Sequence, residues 1–129
     1  MKQSRIFTNE PLNDEDLFLR SIWPANKRPD YWNGYRLASS AFKDPKGLSV
    51  SRVYTRPKEE AVDWMKSHLQ GPVYSITYVT CMYAKTVVKN KPGTVPYYYE
   101  IHGGENTVLL SDEQALLLAR AAKRESDNE

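Results

Sequence analysis

The apolar and polar positions of the chain fall into short runs with strand-like and helix-like spacing. Leu17-Phe18-Leu19-Arg20-Ser21-Ile22 is an apolar run that predicts a first strand. Leu48 to Tyr54 alternates: Leu48, Val50, Arg52 and Tyr54 share one parity, and Ser49, Ser51 and Val53 the other. Val73 to Thr80, Tyr83 to Val88 and Thr94 to Gly103 read as further strands, and Arg36 to Lys43 as a short strand or extended segment. Asp44-Pro45-Lys46-Gly47 and Asn90-Lys91-Pro92-Gly93 have turn chemistry, with Pro presetting φ and Gly accepting positive φ. Ala61, Val62, Met65 and Leu69 recur at helical spacing, with Trp64 and His68 at the edge of that face. Thr55 is the expected N-cap, with Pro57 in the first turn, Glu59 and Glu60 complementing the dipole, and Gly71 as the stop. Ser111 to Gln114 forms an S-x-x-Q capping box. It opens a last helix from Asp112 to about Lys123, apolar on much of its circumference. The expected fold is α+β: a mostly antiparallel sheet of about five to six strands with two packed helices. Leu17, Leu19, Val50, Val73, Ile76, Val87 and Ile101 should supply the sheet core.

Between these elements lie a loose leader over 1–13, a long Pro- and Gly-containing connection from Trp23 to Tyr35, and a polar tail over 125–129. The length of 129 residues suits a single domain. Hydrophobic residues at 40% and charged residues at 26% are ordinary globular values and exclude a disordered chain. Aromatics at 12%, nine of them Tyr, exceed what a small core requires, so some are expected at a binding surface. One cysteine, Cys81, excludes an internal disulfide and is expected as a half-buried strand residue. No apolar run reaches membrane-spanning length and the N-terminus has no signal-like apolar stretch, so a cytoplasmic location with no membrane partner is the expectation.

Charge changes the picture. Between Arg20 and Lys58 nine bases face only Asp30 and Asp44, whereas from Glu100 onward seven acids face three bases. Such polarity can steer an anionic partner to the first half. Within it, Arg36, Ser39, Ser40 and Lys43, joined across the Pro-Gly turn by Ser49, Ser51 and Arg52, could hold phosphate or carboxylate. Trp32 and the neighbouring Trp23, Tyr31, Tyr35 and Phe42 could stack on bases or a nucleotide ring. A second constellation is Tyr98, Glu100 and His102, which share one face of a strand and could do acid–base work beside Gly103-Gly104. His68 is expected to be a packing residue. No P-loop, dinucleotide-binding glycine motif, H-E-x-x-H, C-x-x-C or G-x-S-x-G occurs, and no metal site or cofactor is expected.

Arg36 with Ser39-Ser40-Ala41-Phe42-Lys43, Gly47-Leu48-Ser49-Val50-Ser51-Arg52, Glu100-Ile101-His102-Gly103 and Leu110-Ser111 with Gln114-Ala115 and Leu118-Ala119 resemble a group of small bacterial and phage proteins of unknown function. The resemblance runs from about Leu17 to Ala122 and implies no activity. Where such proteins often carry His two residues before the Glu, this chain has Tyr98. A looser similarity is to the ADP-ribosyltransferase fold, through the order of Arg20, Ser49 or Ser51, the middle helix, the strand from Val73 and Glu100. It implies a catalytic role for Arg20 and Glu100, and the shared strand face adds His102 as a catalytic candidate.

Two functions follow as expectations. In the first, the protein is a small binding or accessory protein whose basic, aromatic half engages an acidic protein partner or a nucleic acid. In the second, it is a nucleotide-using enzyme, ADP-ribosyltransferase-like or a nuclease, with Glu100 and His102 in the site near Arg36 or Arg52. The Trp23–Tyr35 loop is expected to be ordered and to line the binding surface.

Overall fold

A computed structural model describes residues 11–126. The fold is α+β, and every strand pair in it is antiparallel. The main sheet consists of β1 (Leu17–Ser21), β4 (Leu48–Arg52), β5 (Val73–Thr77), β6 (Val87–Asn90), β7 (Tyr98–His102) and β8 (Lys123–Ser126), in the order β6-β7-β4-β1-β5-β8. A two-residue ladder of β2 (Trp32–Asn33) and β3 (Arg36–Leu37) stands apart. Three helices accompany them: α1 (Lys58–His68), α2 (Tyr78–Tyr83) and α3 (Asp112–Ala121).

Alternation assigns the two faces. On one, Phe18, Leu48, Val50, Tyr74, Ile76, Tyr99 and Ile101 are buried with Ala41, Phe42, Cys81, Leu110, Ala115 and Leu118. This is the larger core, closed by α2, α3 and a 3-10 turn at Ser39–Phe42. On the other, Leu19, Val53 and Val73 pack against Ala61, Val62 and Met65 of α1. Helix α1 lies over β1 and β5. The same face of β4, β7 and β6 carries polar side chains instead, and the candidate site lies there.

Several boundaries differ from the expected ones. Val73 to Thr80 is not one strand: the chain turns into α2 because the Thr77 hydroxyl accepts the Thr80 amide as an N-cap. Cys81 is therefore a helical core residue, and burial pushes its thiol up to about 12. The strand expected over Tyr83 to Val88 is Val87–Asn90, and the one expected over Thr94 to Gly103 is Tyr98–His102. Arg36 to Lys43 is a two-residue strand followed by the 3-10 turn. Helix α1 starts after Pro57 rather than Thr55, with Glu59 and Glu60 in its first turn. The capping box holds in full, with the Ser111 hydroxyl accepting the Gln114 amide and the Gln114 side chain accepting the Ser111 amide. Leu17 and Val87 are only half-buried. The polar tail is in part β8, a charged edge strand whose Lys123 and Arg124 pair in register with Ser75 and Tyr74. Charge suits an edge, where it discourages further strand pairing. Residues 1–10 of the leader and 127–129 of the tail lie outside the described residues. Gly71, at φ +93°, is required for close approach: a Cβ there would stand 1.7 Å from the Ile22 carbonyl oxygen.

Arg52 ties the front of the chain to this frame. It is 1% exposed. Its Nε and Nη2 donate to both Asp16 carboxylate oxygens at 3.0 and 2.8 Å, Nη1 to the Tyr99 hydroxyl at 3.1 Å, and Nη2 also to the Pro11 carbonyl at 3.0 Å. Burial alone would raise the Asp16 carboxyl, but the Arg52 hydrogen bonds and charge and the Asn13 amide outweigh it and hold it below its ordinary value. Residues 11–13 are thus not a loose leader: Pro11 and Asn13 take part in this network and Leu12 packs on the larger core. Asp16→Ala would strand a buried guanidinium and is expected to cost about 3–5 kcal/mol in urea unfolding. A loss under about 1 kcal/mol, the range of an exposed pair, would contradict this.

Candidate functional site

Opposed residues in a ladder share a face, so register builds the site. Glu100 on β7 is opposite Ser49 on β4 and Lys89 on β6. One row away, Tyr98 is opposite Ser51, and the Lys91 amide donates to the Tyr98 carbonyl. On the other side, His102 is opposite Val87. Gly47 fills the last place because nothing larger fits. At φ +108°, its Cβ would lie 2.5 Å from Glu100 Oε1 and 3.2 Å from His102 Nε2.

An unbroken hydrogen-bond chain crosses this array. Ser49 Oγ and Tyr98 OH are 2.8 Å apart, Tyr98 OH donates to Glu100 Oε2 at 2.9 Å, and His102 Nε2 stands 2.9 Å from Glu100 Oε1. A phenol has one proton. With that proton on Glu100, Ser49 must donate to Tyr98, and the lone pairs of the exposed Ser49 hydroxyl stay open to solvent or a ligand. Burial would raise Glu100, but the hydrogen bonds from His102 and Tyr98 and the charge of Lys91 win, so its carboxyl is held below the ordinary value. Burial and the Glu100 carboxylate together push the Tyr98 phenol up despite the Ser49 hydrogen bond. The chain is therefore polarised, with a carboxylate in the middle and a protonated phenol beside it.

Arg20 supports this array from within. The β1–β4 ladder ends at Leu19↔Ser51, and beyond it the Arg20 guanidinium donates to the Ser49 carbonyl at 3.1 Å and the Ala41 carbonyl at 3.2 Å. It fixes the Ser49 backbone, and burial lowers its pKa.

The other predicted site residues go elsewhere. Arg52 belongs to the opposite face with Asp16, so it shares no cleft with Glu100. Arg36 is exposed and lines a groove with Tyr35, Tyr74 and Arg120, also away from Glu100. No hairpin joins residues 36–43 to Ser49: β4 pairs with β1 and β7. Ser39 and Ser40 lie in the 3-10 turn, where the Ser40 hydroxyl donates to the Asp30 carbonyl, and Lys43 pairs with Asp112. Trp32 is half-buried, tilted 6.2 Å from Tyr74, and donates its indole N–H to the Trp23 carbonyl at 2.9 Å. Tyr31 is buried, whereas Tyr35 is 97% and Trp23 46% exposed. The Trp23–Tyr35 loop is thus part plug and part exposed rim. His68 is exposed and packs at the edge of the α1 face, its ring stacked on Trp64 at 4.0 Å.

Lys89 and Lys91 were not among the predicted site residues. Their parity with Val87 carried the signal, but it was hidden because the strand was expected to end at Val88. Among the described residues no cluster of His, Cys, Asp and Glu could hold a metal ion, and no helix is long and apolar enough to cross a membrane. Comparison with protein families, curated proteins and solved structures finds no match to this chain.

The depressed Glu100 carboxyl makes stability depend on pH. Its contribution is complete above the unfolded-state carboxylate value and is lost as pH falls through the lower folded value. Glu100→Gln removes that contribution. Thermal melts between about pH 5 and pH 3 should therefore fall less steeply for the variant than for the wild type. Equal slopes would mean that Glu100 is not held ionised by the array.

Proposed function

We propose that the protein binds a small phosphate-bearing molecule of the nucleotide class on the open polar half of the sheet and acts on it by acid–base chemistry. The observation that carries this reading is the chain from the exposed Ser49 hydroxyl through Tyr98 to Glu100, braced by His102. Lys89 and Lys91 flank it and would attract an anionic group. A ligand hydroxyl that donates to Ser49 can lose its proton along the chain. Ser49 takes that proton and gives its own to Tyr98, and Tyr98 gives its own to Glu100, so each oxygen is left as it began and Glu100 ends protonated. His102 steadies the carboxylate through its second oxygen. Transfer or hydrolysis at a sugar-phosphate is the reaction class that such a base would serve.

The distribution of the basic half favours this reading over a nucleic-acid surface. Of the nine bases, Arg20 and Arg52 are buried, Arg28, Lys43 and Lys58 are in ion pairs, and Arg56 donates to the Val53 and Arg52 carbonyls. Much of the positive charge thus holds the fold together. The exposed Tyr35 and Trp23 near Lys27 and Arg36 support a second reading, an edge for an acidic protein partner or nucleic acid.

Calorimetric titration with ADP, NAD and ADP-ribose tests the first reading. Binding is expected for at least one of them. Lys89→Ala with Lys91→Ala should weaken it by about tenfold or more, while Glu100→Gln should retain binding and lose turnover. No binding, or binding indifferent to both lysines, would overturn it. Single-stranded DNA binding that falls steeply with salt and is lost in Tyr35→Ala with Arg36→Ala would favour the edge instead.

A further inference from the structure

Helices α2 and α3 leave a groove between them whose surface is mostly apolar. Val79 and Tyr83 form one wall, 46% and 78% exposed, and Leu116, 44% exposed, forms the other with Leu117. A tyrosine ring, a valine and a leucine left in water side by side suit a surface that another molecule covers. Two charges border it on the same helix, Glu113 and Arg120, both exposed and neither with an ion-pair partner among the described residues.

The spacing of these charges identifies what covers the groove. Residues three, four and seven apart lie on one helix face, so Glu113, Leu116, Leu117 and Arg120 form a single stripe. The two charges are about 10.5 Å apart along the axis, at 1.5 Å per residue. The Leu116–Leu117 pair lies midway between them. A second α3 laid antiparallel across this point would put each Glu113 against the other chain's Arg120 and leucine against leucine. A stripe acidic at one end, basic at the other and apolar at its centre is complementary to its own reverse, which is the requirement of a two-fold contact. We propose that the α2–α3 face is the interface of a homodimer, with the two α3 helices packed antiparallel about Leu116 and Leu117. Tyr83 and Val79 extend the apolar contact on either side. The polar array lies on the far face of the sheet and stays open in such a dimer.

Sedimentation equilibrium from about 1 to 100 µM tests this, spanning the range of moderate self-association. The wild type is expected to be a dimer. Glu113→Arg alone and Arg120→Glu alone each bring like charges together twice across the two-fold axis and should weaken it by about tenfold or more. The combined Glu113→Arg, Arg120→Glu variant restores both pairs in reverse and should return to within about threefold of the wild type. Leu116→Glu should be monomeric. Because all three positions are exposed in the single chain, circular dichroism should show unchanged folding. Should Leu116→Glu fail to fold, the charge-swap series decides alone. A wild type that is monomeric throughout, or a dimer indifferent to the charge swaps, would overturn the proposal.

Discussion

A guanidinium as deeply buried as that of Arg52 must find acceptors on every side, and the described residues supply them from three separate places. Asp16 precedes β1, Pro11 lies further back, and Tyr99 sits on β7. Meeting this demand locks β4 against β7 on one side and fixes the entry into β1 on the other. A buried pair of this kind is expensive to desolvate and contributes little net stability. What it supplies is definition, since any slip of register would leave a charge unmatched. That register sets Ser49 opposite Glu100.

The two faces of the sheet then have different fates. The larger core needs Phe18, Val50, Tyr99 and Ile101 on one side of the strands, so the alternate residues Ser49, Ser51, Tyr98 and Glu100 must face the other way. Helix α1 lies mainly over β1 and β5 there. A short helix cannot shade six strands, so β4, β7 and β6 carry polar residues on that face, among them the exposed Ser49. Gly47 and Arg20 complete the arrangement. One leaves space where a Cβ would strike Glu100, and the other satisfies the Ser49 carbonyl beyond the end of the β1–β4 ladder.

Much of this could be read from local pattern. The α+β class, the antiparallel sheet, the Ser111–Gln114 capping box and the shared face of Tyr98, Glu100 and His102 all rest on short-range periodicity and cap chemistry. The remainder depends on which strands become neighbours, and a local pattern does not contain that. Ser49 was linked to Arg36 and Lys43 because they are close in sequence, but the sheet pairs it with Glu100 instead. Tyr78-Val79-Thr80 is rich in β-formers, yet one hydroxyl cap at Thr77 and the burial of Cys81 turn it into a helix. The edge strand Lys123–Ser126 runs across the expected end of the last helix at Lys123 and the expected tail from residue 125, because charge masks an edge strand. A charge count in the sequence does not contain the partners of those charges: Arg20, Arg52 and Arg56 of the basic half donate to carbonyls and a carboxylate of the chain itself.

The account depends on the Ser49–Tyr98–Glu100–His102 chain acting as one polarised unit. A pH titration of the Glu100 side-chain carboxyl by carbon-13 NMR, in the wild type and in Tyr98→Phe, tests this most directly. The midpoint should lie below the ordinary carboxylate value in the wild type and rise in Tyr98→Phe, because a donor to the ionised form has been removed. A wild-type midpoint at the ordinary value, unmoved by the substitution, would contradict it.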